Sequence, residues 1–320
     1  MKKTLLFGEP MALLLADTPG ALEGVEHFTR RMSGAEVNVA IGLTRLGFPV
    51  EYLTRLGDDP FGHYIEQALK DNGIGTNLLT YDPVYRTGIQ LKEYVKDGHD
   101  PAAPYYRKGS AASHLSIREI AALDLGEIGL VHVTGIPPAL SKEAREATYR
   151  LMERARKAQI PVTFDPNLRP ALWENGETMR TVLNDLANYA DVVLPESGNV
   201  RSLRARQIKK KRLILSSEGR GSRRDQRWKE RRLCIRKERK REVVRDMIPG
   251  YPVKKVVDTV GAGDGFAVGV LSGLLKGLPV TECAKRGNAI GSIQVQHRGD
   301  NEGLPTEEIL QSYMAGNIQK

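Results

Sequence analysis

The sequence predicts an α/β fold of three layers, in which helices cover both faces of a mostly parallel central sheet and a small second sheet forms a lid. Short apolar runs alternate with segments of helical periodicity along most of the 320 residues. Strands that alternate with helices in this way form a largely parallel sheet. Two strand-rich stretches, about residues 10–35 and 84–108, interrupt the alternation. We expect these two stretches to form the small sheet.

The elements of the N-terminal half follow from apolar spacing and from glycine. KTLLFGEP, MALLLA, VEYLTRLG and TGIQLKEYV contain the short apolar runs typical of strands. In GAEVNVAIGLTRLG the apolar residues recur at three- and four-residue intervals, which predicts a helix that ends at Gly47. DPFGHYIEQALKDNG predicts a second helix, closed by Gly73.

The C-terminal half continues the same alternation. IGLVHVTG is a nearly continuous apolar run, the pattern of a strand buried on both faces, and PVTFDPN and DVVLP are shorter strand patterns. SKEAREATYRLMERARKAQ and MRTVLNDLANYA have helical periodicity. VVDTVGAGDGFAVGVLSGLLKG predicts a strand, a glycine turn and a helix in succession.

Composition indicates a globular, enzyme-like protein. Apolar residues make up 40% of the chain and glycine occurs 32 times. The two cysteines, Cys234 and Cys283, are too few for a disulfide framework and lack metal-ligand spacing, so we expect a reducing, cytoplasmic location. The N-terminal apolar run stops at Gly8-Glu9 without a cleavage site, and no run of about 18 apolar residues occurs, so neither a signal peptide nor a membrane span is expected.

The basic character of the chain is confined to one segment. The whole chain carries a net charge of +9, but Arg201–Arg245 alone contains 20 Lys or Arg and 5 Asp or Glu. The other 275 residues hold 28 basic and 34 acidic residues, a net charge of −6. A basic protein surface that binds nucleic acid is therefore predicted nowhere outside this segment.

A glycine turn near the C-terminus is the strongest chemical signal. Gly261, Ala262 and Gly263 lie where a strand is predicted to end and a helix to begin. Small residues there leave backbone N–H groups open at a helix N-terminus, which favours an anion. Asp264 comes next, in a position to take a proton from an attacking hydroxyl while the N–H groups hold developing phosphoryl charge. A helix-capping role for Asp264 is the alternative.

Two longer strings resemble the ribokinase-like (PfkB) family of carbohydrate kinases. VDTVGAGDGFAVG is similar to the C-terminal signature of that family, and GAEVNVAIGLTRLG with RLGDDPFGHYI is similar to its first glycine-rich motif. The resemblance implies one ribokinase-like kinase domain over residues 1–320, including the small lid sheet. It also implies phosphoryl transfer from ATP, with Asp264 as the base and Gly261, Ala262 and Gly263 holding the phosphoryl charge.

Three further stretches are similar to the branch of the family that acts on 2-keto-3-deoxygluconate, a sugar acid: PYYRKGSAASHLS, FDPNLRPALW and RGDNEGLP. The resemblance implies that Arg107 and Arg169 bind the substrate carboxylate and that Tyr105 offers a hydroxyl. It further implies that Gly34 permits close approach of the sugar and that Asn38 binds its hydroxyls. Kinases of fructose or ribose with the same fold are the near alternative, and Gln90 stands where relatives can carry an aromatic residue.

The resemblance also implies a nucleotide site that includes Asn167, Asn288, Gly261 and Gly263. Mg²⁺ is expected, because ATP chemistry needs charge neutralisation between the phosphates. No protein metal cluster is predicted, since the histidines lack ligand spacing and the family's Asn-x-x-Glu motif after the VVLP strand is not intact in LPESGNVRSL. A homo-oligomer through the lid sheet is a further expectation.

The basic segment allows two interpretations. The first is a nucleic-acid-binding arm with Trp228 as a stacking residue, although it has one aromatic residue and no recognised motif. The second is a pair of compensating frame changes that scramble roughly Ser197 to Arg245, because LILSSEG keeps a trace of strand and turn whereas the residues after it have neither strand nor helix periodicity. We favour the second, and we consider nucleic acid an unlikely partner.

Overall fold

A computed structural model describes residues 1–95, 101–195, 213–214, 230–236 and 243–317. The basic segment therefore lies mostly outside the described residues, as do Trp228 and the interpretations of that segment as a nucleic-acid arm or a frame change.

The described residues form strands and helices that alternate as the sequence predicts. The strands are β1 (Lys3–Phe7), β2 (Met11–Pro19), β3 (Phe28–Ser33), β4 (Val50–Gly57), β5 (Leu79–Asp82), β6 (Ile89–Tyr94), β7 (Tyr105–Tyr106), β8 (Ile128–Thr134), β9 (Val162–Asp165), β10 (Val192–Val193), β11 (Leu213–Ile214), β12 (Glu230–Arg236) and β13 (Val243–Pro249). The helices are α1 (Ala35–Arg45), α2 (Pro60–Asp71), α3 (Ile117–Ala122), α4 (Pro137–Leu140), α5 (Lys142–Lys157), α6 (Gly176–Ala187), α7 (Ala262–Leu275), α8 (Val280–Gln294) and α9 (Glu307–Met314).

The central sheet has seven parallel strands in the order β11-β10-β9-β8-β1-β4-β5. Successive side chains of β1, an interior strand of this sheet, point to opposite faces, as strand geometry requires. Leu6 packs in one apolar cluster with residues of α1, α7 and α8. Leu5 and Phe7 pack in the other cluster with residues of α5 and α6. Each face of the sheet is thus covered by helices, which confirms the three-layer prediction.

The smaller sheet has four strands in the order β3-β2-β6-β7. β2 pairs with β3 and β6 with β7 in antiparallel fashion, whereas β2 and β6 are parallel. These strands come from residues 11–33 and 89–106, so the small sheet of the fold prediction is confirmed. In β6, Gln90 and Lys92 are buried while their neighbours are half-exposed, so a lysine occupies the inward register of this strand.

The strand predicted in VVDTV is wrong. Residues 256–260 form no strand. The backbone N–H groups of Val257 and Asp258 instead donate to the Val295 carbonyl, at 2.8 and 3.3 Å. That carbonyl lies at the C-terminal end of α8, where the last carbonyl groups of a helix have no donor within the helix. The segment that leads into the glycine turn is therefore anchored to a helix end.

β12 and β13 form a separate antiparallel ladder in which Glu230 lies opposite Pro249 and Arg236 opposite Val243. The sequence pattern predicts no regular element in this part of the basic segment, so the ladder differs from the expectation there. Among the described residues, none of the helices has both the length and the apolar character that crossing a membrane would require.

Candidate active site

The residue that precedes α7 is a glycine, and a residue with a Cβ atom would not fit there. Gly261 caps the helix with a left-handed backbone, φ +79°. A Cβ atom at this position would lie 2.1 Å from the Asp300 carbonyl oxygen. The Gly261 carbonyl accepts the first helical bond, from Gly265 N–H at 2.8 Å. The N–H groups of the first turn, which includes Ala262 and Gly263, have no acceptor within the helix, so this turn can hold an anion.

Asp264 stands in that first turn and is joined to α1. Its Oδ2 accepts a hydrogen bond from Asn38 Nδ2 at 2.7 Å. Asn38 is buried, and its Oδ1 accepts from Asn301 Nδ2 at 3.0 Å. Asn301 Nδ2 also reaches the Met32 carbonyl at 3.2 Å. Asp264, which is only half-buried, is thus held through Asn38 and Asn301 by hydrogen bonds from distant parts of the chain.

Gly34 is the N-cap residue of α1, next to this group. Its φ of +147° lies in the region that favours glycine, and an added Cβ would lie 2.7 Å from the Glu9 carbonyl oxygen. Gly34, Asn38 and Asp264 are therefore brought together where α1 and α7 begin. Asn38 is predicted to bind sugar hydroxyls. In the structure its Nδ2 donates to Asp264 and its Oδ1 accepts from Asn301.

Arg107 lies beside the same corner, in a buried ion pair. Arg107 Nε donates to Glu9 Oε2 at 2.7 Å, and Nη2 contacts the same oxygen. The Arg107 guanidinium carbon lies 5.5 Å from the centre of the half-exposed Tyr105 ring. Glu9 Oε1 has no hydrogen-bond partner among the described residues. The pair fixes the guanidinium rather than leaving it as a mobile surface group.

A second carboxyl, Glu36, is buried close to this pair. The Thr134 hydroxyl donates to Glu36 Oε1. Burial raises the pKa of Glu36 to about 7; the Thr134 hydrogen bond and the Arg107 charge oppose the rise, and Glu9 adds to it. The pKa of the buried Tyr52 hydroxyl is also raised, by burial and by Glu36. Glu9 therefore pairs with Arg107, and below a pH of about 7 the Glu36 carboxyl is mostly protonated, which keeps the cluster close to neutral.

The other predicted residues lie on different elements. Asn167 follows β9 with φ +34°, and its backbone N–H donates to Asp165 Oδ1 at 2.9 Å. Arg169 is half-buried two residues later, with Nη1 donating to the Leu168 carbonyl at 2.9 Å. Asn288 is buried in α8, where its Nδ2 donates to the Ile248 and Pro249 carbonyls at 3.3 and 3.2 Å. Asn288 therefore ties the end of β13 to α8.

Metal ligation by the protein has no candidate in the described part of the chain. No group of three or more His, Cys, Asp or Glu side chains is arranged there to hold a metal ion.

Several residues of the site escape prediction from the sequence: Glu9, Ser33, Glu36, Lys92, Asp258 and Asp300. Signals for three of them are present. Lys92 falls in the inward register of a strand, Asp258 begins the glycine signature, and Asp300 lies in the RGDNEGLP stretch. Their partners come from distant parts of the chain, so spacing alone could not pair them.

A family model described as pfkB family carbohydrate kinase matches residues 1–215 and 243–307. The chain belongs to the pfkB family of carbohydrate kinases. The family resemblance of the two glycine motifs is thereby confirmed. The family model leaves residues 216–242, inside the basic segment, unmatched.

Relatives within the pfkB family match over almost the full chain. The 2-dehydro-3-deoxygluconokinase of Bacillus subtilis (strain 168) is 40% identical over 97% of this chain and 94% of that protein. The crystal structure of a PfkB protein from Polaromonas sp. JS666 matches with a TM-score of 0.83 and 39% identity over 98% of this chain and 100% of that one. An uncharacterized sugar kinase from Pyrococcus horikoshii, in complex with ATP, matches with a TM-score of 0.81 and 26% identity over 99% and 100% of the two chains.

Proposed function

We propose that this pfkB kinase phosphorylates a sugar acid, 2-keto-3-deoxygluconate, on its 6-hydroxyl with ATP. One observation carries the chemistry. A carboxylate, Asp264, is held by Asn38 in the first turn of a helix that Gly261 caps with a left-handed backbone, and the N–H groups of a first helical turn have no acceptor within the helix. The 40% identity to the Bacillus subtilis 2-dehydro-3-deoxygluconokinase supports the substrate.

In the proposed step the 6-hydroxyl oxygen of the sugar acid attacks the γ-phosphorus of ATP. Asp264 takes the hydroxyl proton, the bond from the γ-phosphorus to the bridging oxygen breaks, and ADP leaves with the electron pair. The backbone N–H groups of Ala262 and Gly263 stabilise the charge on the transferred phosphoryl group, since they are already oriented before the reaction.

Asn167 and Asn288 fit the proposed nucleotide site. Each has a buried side-chain oxygen without a hydrogen-bond partner among the described residues. A buried acceptor of this kind is costly unless a ligand or water donates to it. The complex of the Pyrococcus horikoshii kinase with ATP supports ATP as the donor. Mg²⁺ would neutralise charge between the β- and γ-phosphates, held mainly by the phosphates and water.

Selectivity for an acid is assigned to Arg107 and Arg169. The contacts of Arg107 with Glu9 use Nε and Nη2, so we assign Nη1 to the substrate carboxylate. Arg169 donates from Nη1 to a backbone carbonyl, and we assign its other nitrogens to the same role. Gly34 would let the sugar approach the backbone, and Tyr105 would donate or accept at a sugar oxygen.

A substrate panel tests this proposal. With MgATP and equal concentrations of 2-keto-3-deoxygluconate, fructose and ribose, ADP release should be fastest with the acid. Arg169→Gln should raise KM for the acid about ten- to hundred-fold, because a hydrogen bond to a charged group contributes roughly 1.5–3 kcal/mol. It should change KM for fructose little.

Lys108→Gln is the matched control, because Lys108 is exposed in the same segment as Arg107. Equal losses for acid and neutral sugars in Arg169→Gln and Arg107→Gln, with unchanged melting temperatures, would contradict the assignment. A clear preference for fructose would favour the fructokinase alternative. Binding of nucleic acid that weakens steeply with salt would instead favour the other class of function.

Two further expectations stay predictions. A cytoplasmic location is supported by Cys283, which is a buried free thiol. A homo-oligomer through the small sheet would place Tyr106, which is 64% exposed on β7, at or near the interface.

A further inference from the structure

Lys92 is a lysine whose ammonium group is almost completely removed from solvent. It lies on β6 of the small sheet and is 1% exposed. Its Nζ donates to Asp258 Oδ2 and to Asp300 Oδ1, each at 2.7 Å. Both carboxylates are themselves buried, with side chains 8% and 4% exposed. A fully buried lysine is rare unless its charge is paired.

Asp258 lies on the segment that leads into the glycine turn, and Asp300 lies on a second segment that packs against Gly261. Asp258 stands three residues before Gly261, and its Oδ1 accepts from Val260 N–H at 3.0 Å. The Asp258 Oδ2 also accepts from Gly299 N–H at 3.3 Å. Asp300 presents its backbone carbonyl against Gly261. The Lys92 ammonium group therefore links the segment that leads into the glycine turn to the segment that packs against this turn.

The same network reaches the other half of the site. The Ser33 hydroxyl lies 2.6 Å from Asp300 Oδ2 and 2.8 Å from Gln90 Oε1. Ser33 directly precedes Gly34, the N-cap residue of α1. The small sheet, the glycine turn and the start of α1 thus meet around Lys92.

Electrostatics require a cation at this point. Two buried carboxylates without a counter-charge would be strongly destabilising. Burial by itself would lower the pKa of Lys92, but Asp300 and Asp258 outweigh it and the pKa is raised, so Lys92 carries its charge. Among the described residues, no other charged nitrogen lies within ion-pair distance of either carboxylate.

We propose that the Lys92 ammonium is a built-in monovalent cation that holds the glycine turn in its anion-binding shape, so that phosphoryl transfer by this chain needs no added monovalent cation. Lys92 is thus a positioning residue, acting through Asp258 and Asp300. Its removal would leave a pocket with two carboxylates that a small monovalent cation fills. The inference rests on phosphoryl transfer at α7 and not on the identity of the sugar acid.

Two variants at one position test the proposal. Lys92→Ala removes the charge and leaves space for a cation, whereas Lys92→Met removes the charge and fills the space with an apolar chain of similar length. Activity is measured with a magnesium salt and with ATP as its Tris salt, in a buffer of tetramethylammonium chloride. The tetramethylammonium ion is too large to enter the space that Lys92→Ala leaves. Potassium, ammonium or methylammonium chloride is then titrated at constant ionic strength.

The wild-type chain should have the same kcat, within about twofold, in tetramethylammonium and in potassium. Lys92→Ala should lose at least about tenfold in kcat in tetramethylammonium and regain it with saturable dependence on the small cation. Lys92→Met should lose activity and not regain it. Strong activation of the wild-type chain by potassium would overturn the proposal, as would full activity of Lys92→Ala without a cation or equal rescue of both variants.

Thermal melting gives a readout that does not depend on substrate. A small cation that binds the folded Lys92→Ala protein should raise its melting temperature in a saturable way and should leave wild type and Lys92→Met unchanged. If Lys92→Ala folds only with potassium, refolding yield reports the same binding, and equal failure in both salts overturns the cation site. Since no substrate enters this measurement, a wrong sugar acid and a wrong role for Lys92 are distinguishable.

Discussion

At the scale of single residues, Asp264 is the clearest case of a predicted catalytic side chain whose supporting hydrogen bonds are seen in the structure. Asn38 donates to it, and Asn301 in turn fixes Asn38. In Asp264→Asn the new side-chain oxygen can still accept from Asn38, so the geometry should persist while the base is lost. We expect kcat to fall by about 10²–10⁴-fold with ATP affinity and melting temperature nearly unchanged.

The control for this substitution is Asp71→Asn, at the exposed end of α2, where the carboxylate accepts from Gln67 Nε2 at 2.8 Å. Its kcat should equal that of wild type. Turnover of Asp264→Asn close to the wild-type value, in a folded protein that binds ATP, would rule out Asp264 as the base.

The raised pKa of Glu36 predicts how the stability of the protein depends on pH. Its folded-state pKa is raised to about 7 by burial, whereas an unfolded glutamate titrates near 4.3. Between these values folding requires Glu36 to be protonated while the unfolded chain has ionised, so stability falls as pH rises and levels off above about 7. Glu36→Gln removes this dependence. The free energy of unfolding of the variant, relative to wild type, should therefore increase by about 3 kcal/mol from pH 4.5 to pH 8.

Urea denaturation at several pH values measures that difference. Glu127→Gln, at an exposed position, should run parallel to wild type over the whole range. Parallel curves for Glu36→Gln as well would mean that Glu36 titrates normally in the folded protein.

At the scale of elements, the sequence predicts best those strands and helices whose apolar residues follow one regular pattern along the whole element. The continuous apolar run of β8 and the amphipathic pattern of α5 locate both elements, because each buries its apolar residues in the manner its period implies. α8 is different. It is buried on nearly every side, and its inward residues include Arg286, whose guanidinium pairs with Glu307 at 2.9 and 2.7 Å. A helix with buried polar residues has no apolar stripe to detect.

The contact between α7 and α8 also lies beyond sequence patterns. A Cβ at Gly269 would lie 2.3 Å from the backbone nitrogen of Gly287, and a Cβ at Gly287 would lie 2.7 Å from the Phe266 ring. The two helices thus approach closely at glycines, which the sequence presents only as isolated small residues. The same holds for the candidate site: the glycine turn and Asp264 are contiguous in sequence, whereas Glu9–Arg107 and Lys92–Asp300 join residues far apart.

At the scale of the whole molecule, the charge distribution sets the basic segment apart from the fold. Apart from β11, the central sheet, the small sheet and the candidate site use residues outside it, whereas β12 and the start of β13 lie within it and form the separate ladder. The pfkB family match stops at residue 215 and resumes at residue 243. The unmatched residues 216–242 lie inside the stretch from roughly Ser197 to Arg245 that two compensating frame changes would scramble; the match resumes close to the second boundary, whereas at the first it continues past Ser197 to residue 215.

This hypothesis predicts the isoelectric point of the protein made from an intact reading frame. The chain as written has an isoelectric point near 9.4, whereas the residues outside Arg201–Arg245 carry a net charge of −6. A family-like segment of ordinary composition would leave the protein acidic, so isoelectric focusing of the native protein should give a value below about 7.

A peptide mass map should lack the peptides of Arg201–Arg245, and resequencing the gene should locate both frame changes. A basic isoelectric point together with those peptides would show that the segment is genuine. Nucleic-acid binding that weakens with salt would then become its leading role.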